Sequence, residues 1–544
     1  MRARDLTRFE GTYDVLVVGG GIQGLACAYD AASRGLRVAL VEANDFGSGA
    51  SFNHQKTAHG GLRSLGAGHL QRARESIRER RALARIAPWF LRPLPFLVGT
   101  YRSVTKNRLA LRAGFKLDTW LGRHRNDGVE PELHLPTPRL VSKAATLRLF
   151  PGVRPDGLTG GAQWYDYQMV EADRLTLAFA AAADRAGADL ANYAEAVEPI
   201  REGRRIAGMV VRDQLTGRTL AINARVTLNA AGSLAGEMMR LFGVARSFPL
   251  VKAMNLITSK AASDMAVAAA ARDGRMLTLV PWRGRALVGT SQSARFAEPG
   301  DLSVSAEEID EFIADANHAF PALKLSRAGV TLVHRGIVPA IAGRDGVAAL
   351  KPSAEIVDHA ADGVEGALTV IGIKYTTARG VAERTTRDVG RRLGRRLPAS
   401  RTHIVPLPGA GIADHEALAI ETARGLRLDV PLPVIRHLIR LYAETAAHVI
   451  QVMHERADLR VPVSARAETI GAEIVHAIRY EMAVRLTDIV VRRTGMGAAG
   501  PPPIEAIDRC AQIAASELGW DDGRLREEIA GVRQFYETGL ITNP

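Results

Sequence analysis

Two histidines and a scatter of cations are the residues of this chain best suited to chemistry. His59 lies in Lys56-Thr57-Ala58-His59-Gly60-Gly61-Leu62-Arg63, and His334 lies in Thr331-Leu-Val-His-Arg335. An imidazole titrates near neutral pH and can take a proton from a hydroxyl group. His59 is the first candidate for such a base and His334 the second. Lys374 follows a glycine, Gly372, at the end of an apolar run, and Arg379 comes soon after it. With Arg63 these side chains can hold an anion. A base flanked by cations suits a negatively charged substrate that must lose a hydroxyl proton.

Such groups need a frame, and the start of the chain supplies one. The apolar run Tyr13-Asp-Val-Leu-Val-Val18 enters Gly19-Gly20-Gly21-Ile22-Gln23-Gly24. A helix-compatible stretch follows to about Arg34. A second strand, Arg37-Val-Ala-Leu-Val41, then closes on Glu42. Strand, glycine turn, helix, strand and acid in this order form the unit that holds an adenine dinucleotide. Gly19 permits the tight turn, Gly21 admits a pyrophosphate, and Gly24 lets helix and sheet pack closely. The helix N-terminus turns N–H groups and a positive dipole end toward the phosphates, and Glu42 suits the ribose hydroxyls. The fingerprint alone leaves NAD and FAD open. Its place at the start of the chain favours FAD, as does the small-residue run Asp45-Phe-Gly-Ser-Gly-Ala-Ser51. The paired glycines beside His59 suit a backbone pressed against a flat ring.

On these residues the chain resembles the FAD-dependent, respiratory-type glycerol-3-phosphate dehydrogenases. The likeness runs from end to end. It takes in the His59-Gly-Gly-Leu-Arg63 segment, Asn229-Ala-Ala-Gly232, Pro281-Trp282, Val288-Gly289-Thr290 and Gly372-Ile-Lys374-Tyr-Thr376-Thr377-Ala-Arg379. It ends in a helical tail with Ile478-Arg-Tyr480-Glu481-Met482 and Arg492-Arg493-Thr494. The resemblance implies an α/β fold: a Rossmann-like FAD-binding domain, an inserted α+β substrate domain and an all-α C-terminal domain. It implies FAD contacts at Gly19, Gly21, Ile22, Gln23, Gly24, Glu42, Ala43, Ser51, Lys56, Thr57, His59, Gly60, Gly61, Leu62, Val197, Ala231, Gly232, Gly372, Lys374, Tyr375, Thr376 and Thr377. The two threonines sit at a helix start, where backbone N–H groups can stabilise negative charge on a reduced ring and side chains can cap the helix.

A chain of 544 residues is long enough for two or three domains. The discontinuous FAD domain is expected at about 12–85, 170–235 and 365–400, with substrate segments at about 86–169 and 236–364 and helices over 406–544. Val434, Leu438, Leu441, Tyr442 and Val449 share one helical face. Ile470, Ile474, Ile478, Met482 and Leu486 share another at four-residue spacing. The charged stretch 68–85 reads as a solvated helix.

Composition bounds the partners. The hydrophobic fraction of 47% and charged fraction of 24% are those of a globular protein. Two cysteines, far apart, form neither a disulfide framework nor a metal pattern, so no metal and a reducing compartment are expected. No signal peptide or spanning run is evident, which points to the cytoplasm. The net charge of +13 is spread along the chain without a nucleic-acid recognition motif. Segment 86–121 mixes Trp89, Phe90, Leu94, Phe96, Leu97 and Val98 with arginines and lysines, as a surface resting on lipid headgroups would. With the resemblance, this suggests peripheral contact with the cytoplasmic face of the inner membrane and a quinone or other electron acceptor. A homodimer is a further expected assembly.

Some positions depart from the family pattern. Gly336-Ile-Val338-Pro339 stands where the family has Gly-Val-Arg-Pro, so Val338 replaces an arginine expected to grip phosphate. Gln292 replaces an aspartate, Ser64 a tyrosine and Ile373 a glycine. Arg335, Arg344 and Lys351 are the cations close enough in sequence to compensate. Three functions follow. The first is oxidation of glycerol 3-phosphate or a related anionic alcohol by hydride transfer to flavin N5. The second is oxidation of an amino acid or hydroxy acid. The third is flavin binding with a decayed substrate site.

Overall fold

Strand Thr12–Val18 is buried along most of its length, as a strand covered on both faces must be. In the computed structural model it lies between two parallel neighbours, Thr219–Asn229 and Val38–Val41, with Val18 level with Asn229 and with Val41. The description covers residues 1–66, 68–102, 108–343, 348–410, 412, 414–426 and 428–537, without the side chains at 63, 66 and 108–110. Among these residues the first sheet runs in the order Glu355–Asp358, Ala367–Ile371, Thr219–Asn229, Thr12–Val18, Val38–Val41, Asp189–Ala191, with the hairpin Ala194–Glu202/Arg205–Asp213 attached to its third strand. Helix Ile22–Ser33 covers one face with helices Ala172–Arg185 and Ala378–Arg392. Its inward side is Leu25, Ala26, Ala28 and the free thiol Cys27, all buried.

The second sheet is mainly antiparallel. Its strands come from 57–58, 91–101, 139–141, 158–169, 250–292 and 330–350, so its segments interleave with those of the first sheet. The C-terminal part is helical: His415–Gly425, Leu432–Tyr442, Ala446–Glu455, Gly471–Glu481, Ile504–Leu518 and Asp522–Glu537. Its apolar core is continuous with Phe52 of the loop after Glu42 and with Ile257, Trp282, Leu287 and Leu332 of the second sheet. The architecture is thus mixed α/β with a FAD-type sheet domain and a helical C-terminal domain.

Three local expectations need correction. Helix Gly471–Glu481 stops at Met482, which is left-handed (φ 56°), so the four-residue pattern through Leu486 is not one helix. Met482 packs into the first sheet's core and Leu486 into the helical core. Strand Leu91–Tyr101 pairs on both sides, with Phe96 level with Trp164 and Ala266. Leu94, Phe96 and Leu97 are therefore interior and cannot rest on a membrane. Helix Leu70–Ile86 is not simply a solvated face either, because Glu79 and Arg80 turn inward.

The inward Glu79 also explains Arg379. The Arg379 guanidinium forks onto the Glu79 carboxylate, Nε–Oε2 at 2.6 Å and Nη2–Oε1 at 2.8 Å, with Nη1 on Glu383 at 2.9 Å. Both partners of the fork are buried, so Arg379 is spent on the fold and is unavailable to a substrate. Arg379→Met is expected to lower stability by about 3 kcal/mol, because Glu79 keeps its charge without its fork. A urea titration that returned the wild-type midpoint would contradict this.

Candidate active site

The glycine turn is built as a cradle. Gly19 has φ 112°, and a Cβ there would lie 2.5 Å from the Ala230 carbonyl oxygen. At Gly24 a Cβ would lie 1.9 Å from the Gly19 carbonyl oxygen, so any side chain pushes helix off strand. Gly21 is different: its Cβ would meet only Ser51 Oγ, at 3.2 Å. The N–H of Ile22, on the first turn of the helix, donates to Ser51 Oγ at 2.9 Å, and the N–H of Gly20 donates to Glu42 Oε2 at 2.6 Å. Burial raises the Glu42 pKa even though two backbone N–H groups favour its charged form. A turn whose donors already gather side-chain oxygens, with open space at Gly21, fits a dinucleotide pyrophosphate. Ala43 lies on the loop after Glu42. Ala231 and Gly232 follow Asn229 at the end of its strand, where Ala230 N–H donates to Val18 O at 2.8 Å. Val197 sits at a register break between Ala196 and Glu198, which frees its backbone from the ladder.

The closing segment returns to this turn. A Cβ at Gly372 would lie 2.5 Å from Gln23 Oε1, and Gln23 Nε2 donates to Ala378 O at 3.3 Å. Tyr375 shares a 2.9 Å hydrogen bond with Thr176 and stacks on His54 with ring centroids 4.9 Å apart. His59 N–H donates to Thr376 Oγ1 at 3.2 Å. The glycine turn, the His59 segment and the Lys374 segment therefore form one site, with Lys374 exposed within it. Thr376 spends its side chain on His59. Thr377 is the N-cap residue without a side-chain capping bond, which corrects the expected threonine cap.

His59 is half-exposed and held from both sides. Its Nδ1 lies 3.4 Å from Asp166 Oδ2 and its Nε2 lies 2.7 Å from Thr57 Oγ1. Asp166 is buried. It accepts Gly60 N–H at 2.6 Å and Trp164 Nε1–H at 3.3 Å, and it pairs with the Arg80 guanidinium. Burial would raise the Asp166 pKa, but Arg80 and the His59 and Gly60 donors outweigh it and hold the carboxyl below its ordinary range. Asp166 and Arg80 escaped the reading of the sequence. A signal for Arg80 was present: it falls on the buried stripe Ala73, Ser76, Ile77, Leu83, Ala84 of its helix. Asp166 is a lone acid among the aromatic residues Trp164, Tyr165 and Tyr167 of a strand.

Other candidates are placed differently. Lys56 is fully buried: its Nζ donates to Phe52 O at 2.6 Å and lies 3.4 Å from Asp173 Oδ1. Burial lowers its pKa, with Asp173 opposing. It braces the loop and has no open path to a substrate. His334 is also fully buried, its ring 4.9 Å from Phe52, and burial with the nearby Lys56 ammonium pushes its pKa well down. Neither of its ring nitrogens has a hydrogen-bond partner among the described residues, and the half-exposed His59 is the more accessible of the two candidate bases. Leu62 opens a short helix, and the Arg63 side chain lies outside the described residues.

On the second sheet Val338 is level with Val251, Gly336 with Ala253, and His334 with Asn255. Gln292 is also level with Ala253. A Cβ at Gly336 would lie 3.4 Å from Ala50, so this row faces the FAD-side loop. Alternation puts Arg335 on the other face of its strand. Lys351 pairs with Glu355 at 2.9 Å. Neither cation replaces the missing arginine from these positions, and Arg344 lies outside the described residues.

A dinucleotide turn met by a late strand-to-helix segment defines the class: this is a FAD-dependent oxidoreductase. The family model described as FAD dependent oxidoreductase matches residues 14–387, and that of the C-terminal domain of alpha-glycerophosphate oxidase matches residues 400–525. The glycerol-3-phosphate dehydrogenase of Synechocystis is 30% identical over 97% of this chain and 97% of its own. That of Mycobacterium leprae is 31% identical over 97% of this chain and 89% of its own. The FAD-complexed glycerol-3-phosphate dehydrogenase structure from Bacillus halodurans superposes with a TM-score of 0.76, covering 99% of this chain and 98% of that one at 23% identity. The chain belongs to the FAD-dependent glycerol-3-phosphate dehydrogenase family.

Proposed function

We propose that the protein oxidises the secondary alcohol of glycerol 3-phosphate, or of a closely related anionic alcohol, and passes the electrons to a quinone or similar acceptor. The observation that carries this reading is the bond from His59 N–H to Thr376 Oγ1, which joins a candidate base to the exposed Lys374 segment. When bound, FAD supplies a ring that accepts hydride. The chain's own residues do the rest. With Nδ1–H directed at Asp166, His59 keeps its lone pair on Nε2 and takes the substrate hydroxyl proton there, once Thr57 yields the position. Asp166 then stabilises the charged imidazolium. Lys374 offers an ammonium to the substrate anion.

Val338 and Gln292 on the sheet face favour a second reading, in which the anion is the carboxylate of an amino or hydroxy acid. Anaerobic addition of substrates to the yellow protein separates the two. Glycerol 3-phosphate is expected to bleach the flavin absorbance. Bleaching only by amino or hydroxy acids supports the second reading, and flavin that none of them reduces refutes both.

We also infer attachment to the cytoplasmic face of an anionic membrane. Among the described residues, no helix is long and apolar enough to cross a membrane. Trp120 is 55% exposed, with the Arg74 and Arg123 guanidinium carbons 5.9 Å and 5.7 Å from its ring. Leu70, one turn before Arg74, is 43% exposed. Such a patch suits headgroups. Trp120→Ala should cut co-sedimentation with anionic vesicles several-fold, and unchanged binding would remove the patch from the interface.

A further inference from the structure

The loop from Glu42 to Ser51 lies directly on the glycine turn. Gly47 N–H donates to Gly20 O at 3.0 Å, and Ser51 Oγ accepts Ile22 N–H at 2.9 Å. Phe46 is 1% exposed, and a Cβ at Gly20 would lie 2.7 Å from it. The loop contains no strand, so something else must fix it.

That anchor comes from the far end of the chain. The short π-helix Asp488–Arg493 sends two consecutive arginines to one carboxylate. Asp45 accepts Arg493 Nη1 at 2.7 Å, Arg493 Nη2 at 2.6 Å and Arg492 Nε at 2.6 Å, with Asn192 Nδ2 at 3.1 Å. Arg492 Nη2 also donates to Asp488 Oδ1 at 2.7 Å, which accepts Tyr193 OH at 2.7 Å. Arg493 Nε closes on Glu481 O at 3.0 Å. The Asp45 and Arg493 side chains have no exposed surface. Two carboxylates face two guanidiniums in this cluster. Its effect is geometric: it sets where Ser51 and the loop stand over the turn.

We propose that Arg492 and Arg493 are positioning residues for FAD, so that the C-terminal helical domain forms part of the cofactor site by locking the loop over the pyrophosphate turn. A purely structural ion pair would lower stability without changing how the folded protein holds FAD. A positioning pair changes retention as well.

The test uses the FAD-loaded protein and follows flavin release on dilution by the rise in flavin fluorescence, alongside Tm. Arg493→Met and Arg492→Gln should each speed release by about tenfold, with Arg493→Lys in between. Ile474→Ala, a cavity in the C-terminal core, should lower Tm and leave release within about twofold of wild type. If Arg493→Met does not fold, Arg492→Gln decides, because it leaves the Arg493 fork on Asp45. Wild-type release from the arginine variants would overturn the proposal. So would release from Ile474→Ala as fast as from them.

Discussion

Gly21→Val is expected to give a folded protein that cannot hold FAD. The space beside Gly21 is bounded by one serine hydroxyl, Ser51 Oγ at 3.2 Å, which can rotate. A valine therefore costs the fold little, but its methyl groups fill the place of the pyrophosphate. Loss of close backbone contact with two phosphates should weaken binding by about 100-fold or more, roughly 3 kcal/mol. The control is Gly24→Ala, in which a single methyl meets the Gly19 carbonyl oxygen at 1.9 Å and must part helix from strand. The pair separates cofactor from scaffold. Gly21→Val should keep its circular dichroism and lose absorbance near 450 nm, whereas Gly24→Ala should lose thermal stability first. A Gly21→Val protein that purifies fully loaded would show that the diphosphate does not lie on this turn.

The difference between these glycines marks what a sequence can convey. Strand, turn, helix and second strand are encoded in neighbouring residues, so Thr12–Val18, Ile22–Ser33 and Val38–Val41 fall close to the expected strand, helix and strand. The meeting of the Gly372–Arg379 segment with the first turn was legible only through resemblance, because no local pattern specifies a contact across most of the chain. The buried ion pairs were not legible. Arg379 and Glu79 are 300 positions apart, and Arg493 and Asp45 are 448 apart. In sequence each looks like one charge among many. Leu91–Tyr101 shows a related limit. Aromatic and basic residues side by side describe a lipid-facing surface, but they also describe an interior strand with a basic helix after it, and strand pairing decides between the two.

The same limit hid Asp166, and with it the best test of the chemistry. His59→Asn should slow flavin reduction by the substrate by about 100-fold or more, the usual contribution of a positioned general base. FAD loading should persist, because the bonds from this segment to Thr376 and Asp166 are donated by the backbone N–H groups of His59 and Gly60. Asp166→Asn is the more informative variant. An amide can still accept the Gly60 N–H, but it no longer balances Arg80 or an imidazolium at His59. The proton taken at Nε2 then has less to stabilise it, and the reaction should slow by about 10-fold to 100-fold. Stopped-flow flavin reduction measures both variants. If His59→Asn reduces its flavin at the wild-type rate, the base lies elsewhere. If Asp166→Asn alone is unaffected, the carboxylate serves only Arg80 and the loop at Gly60.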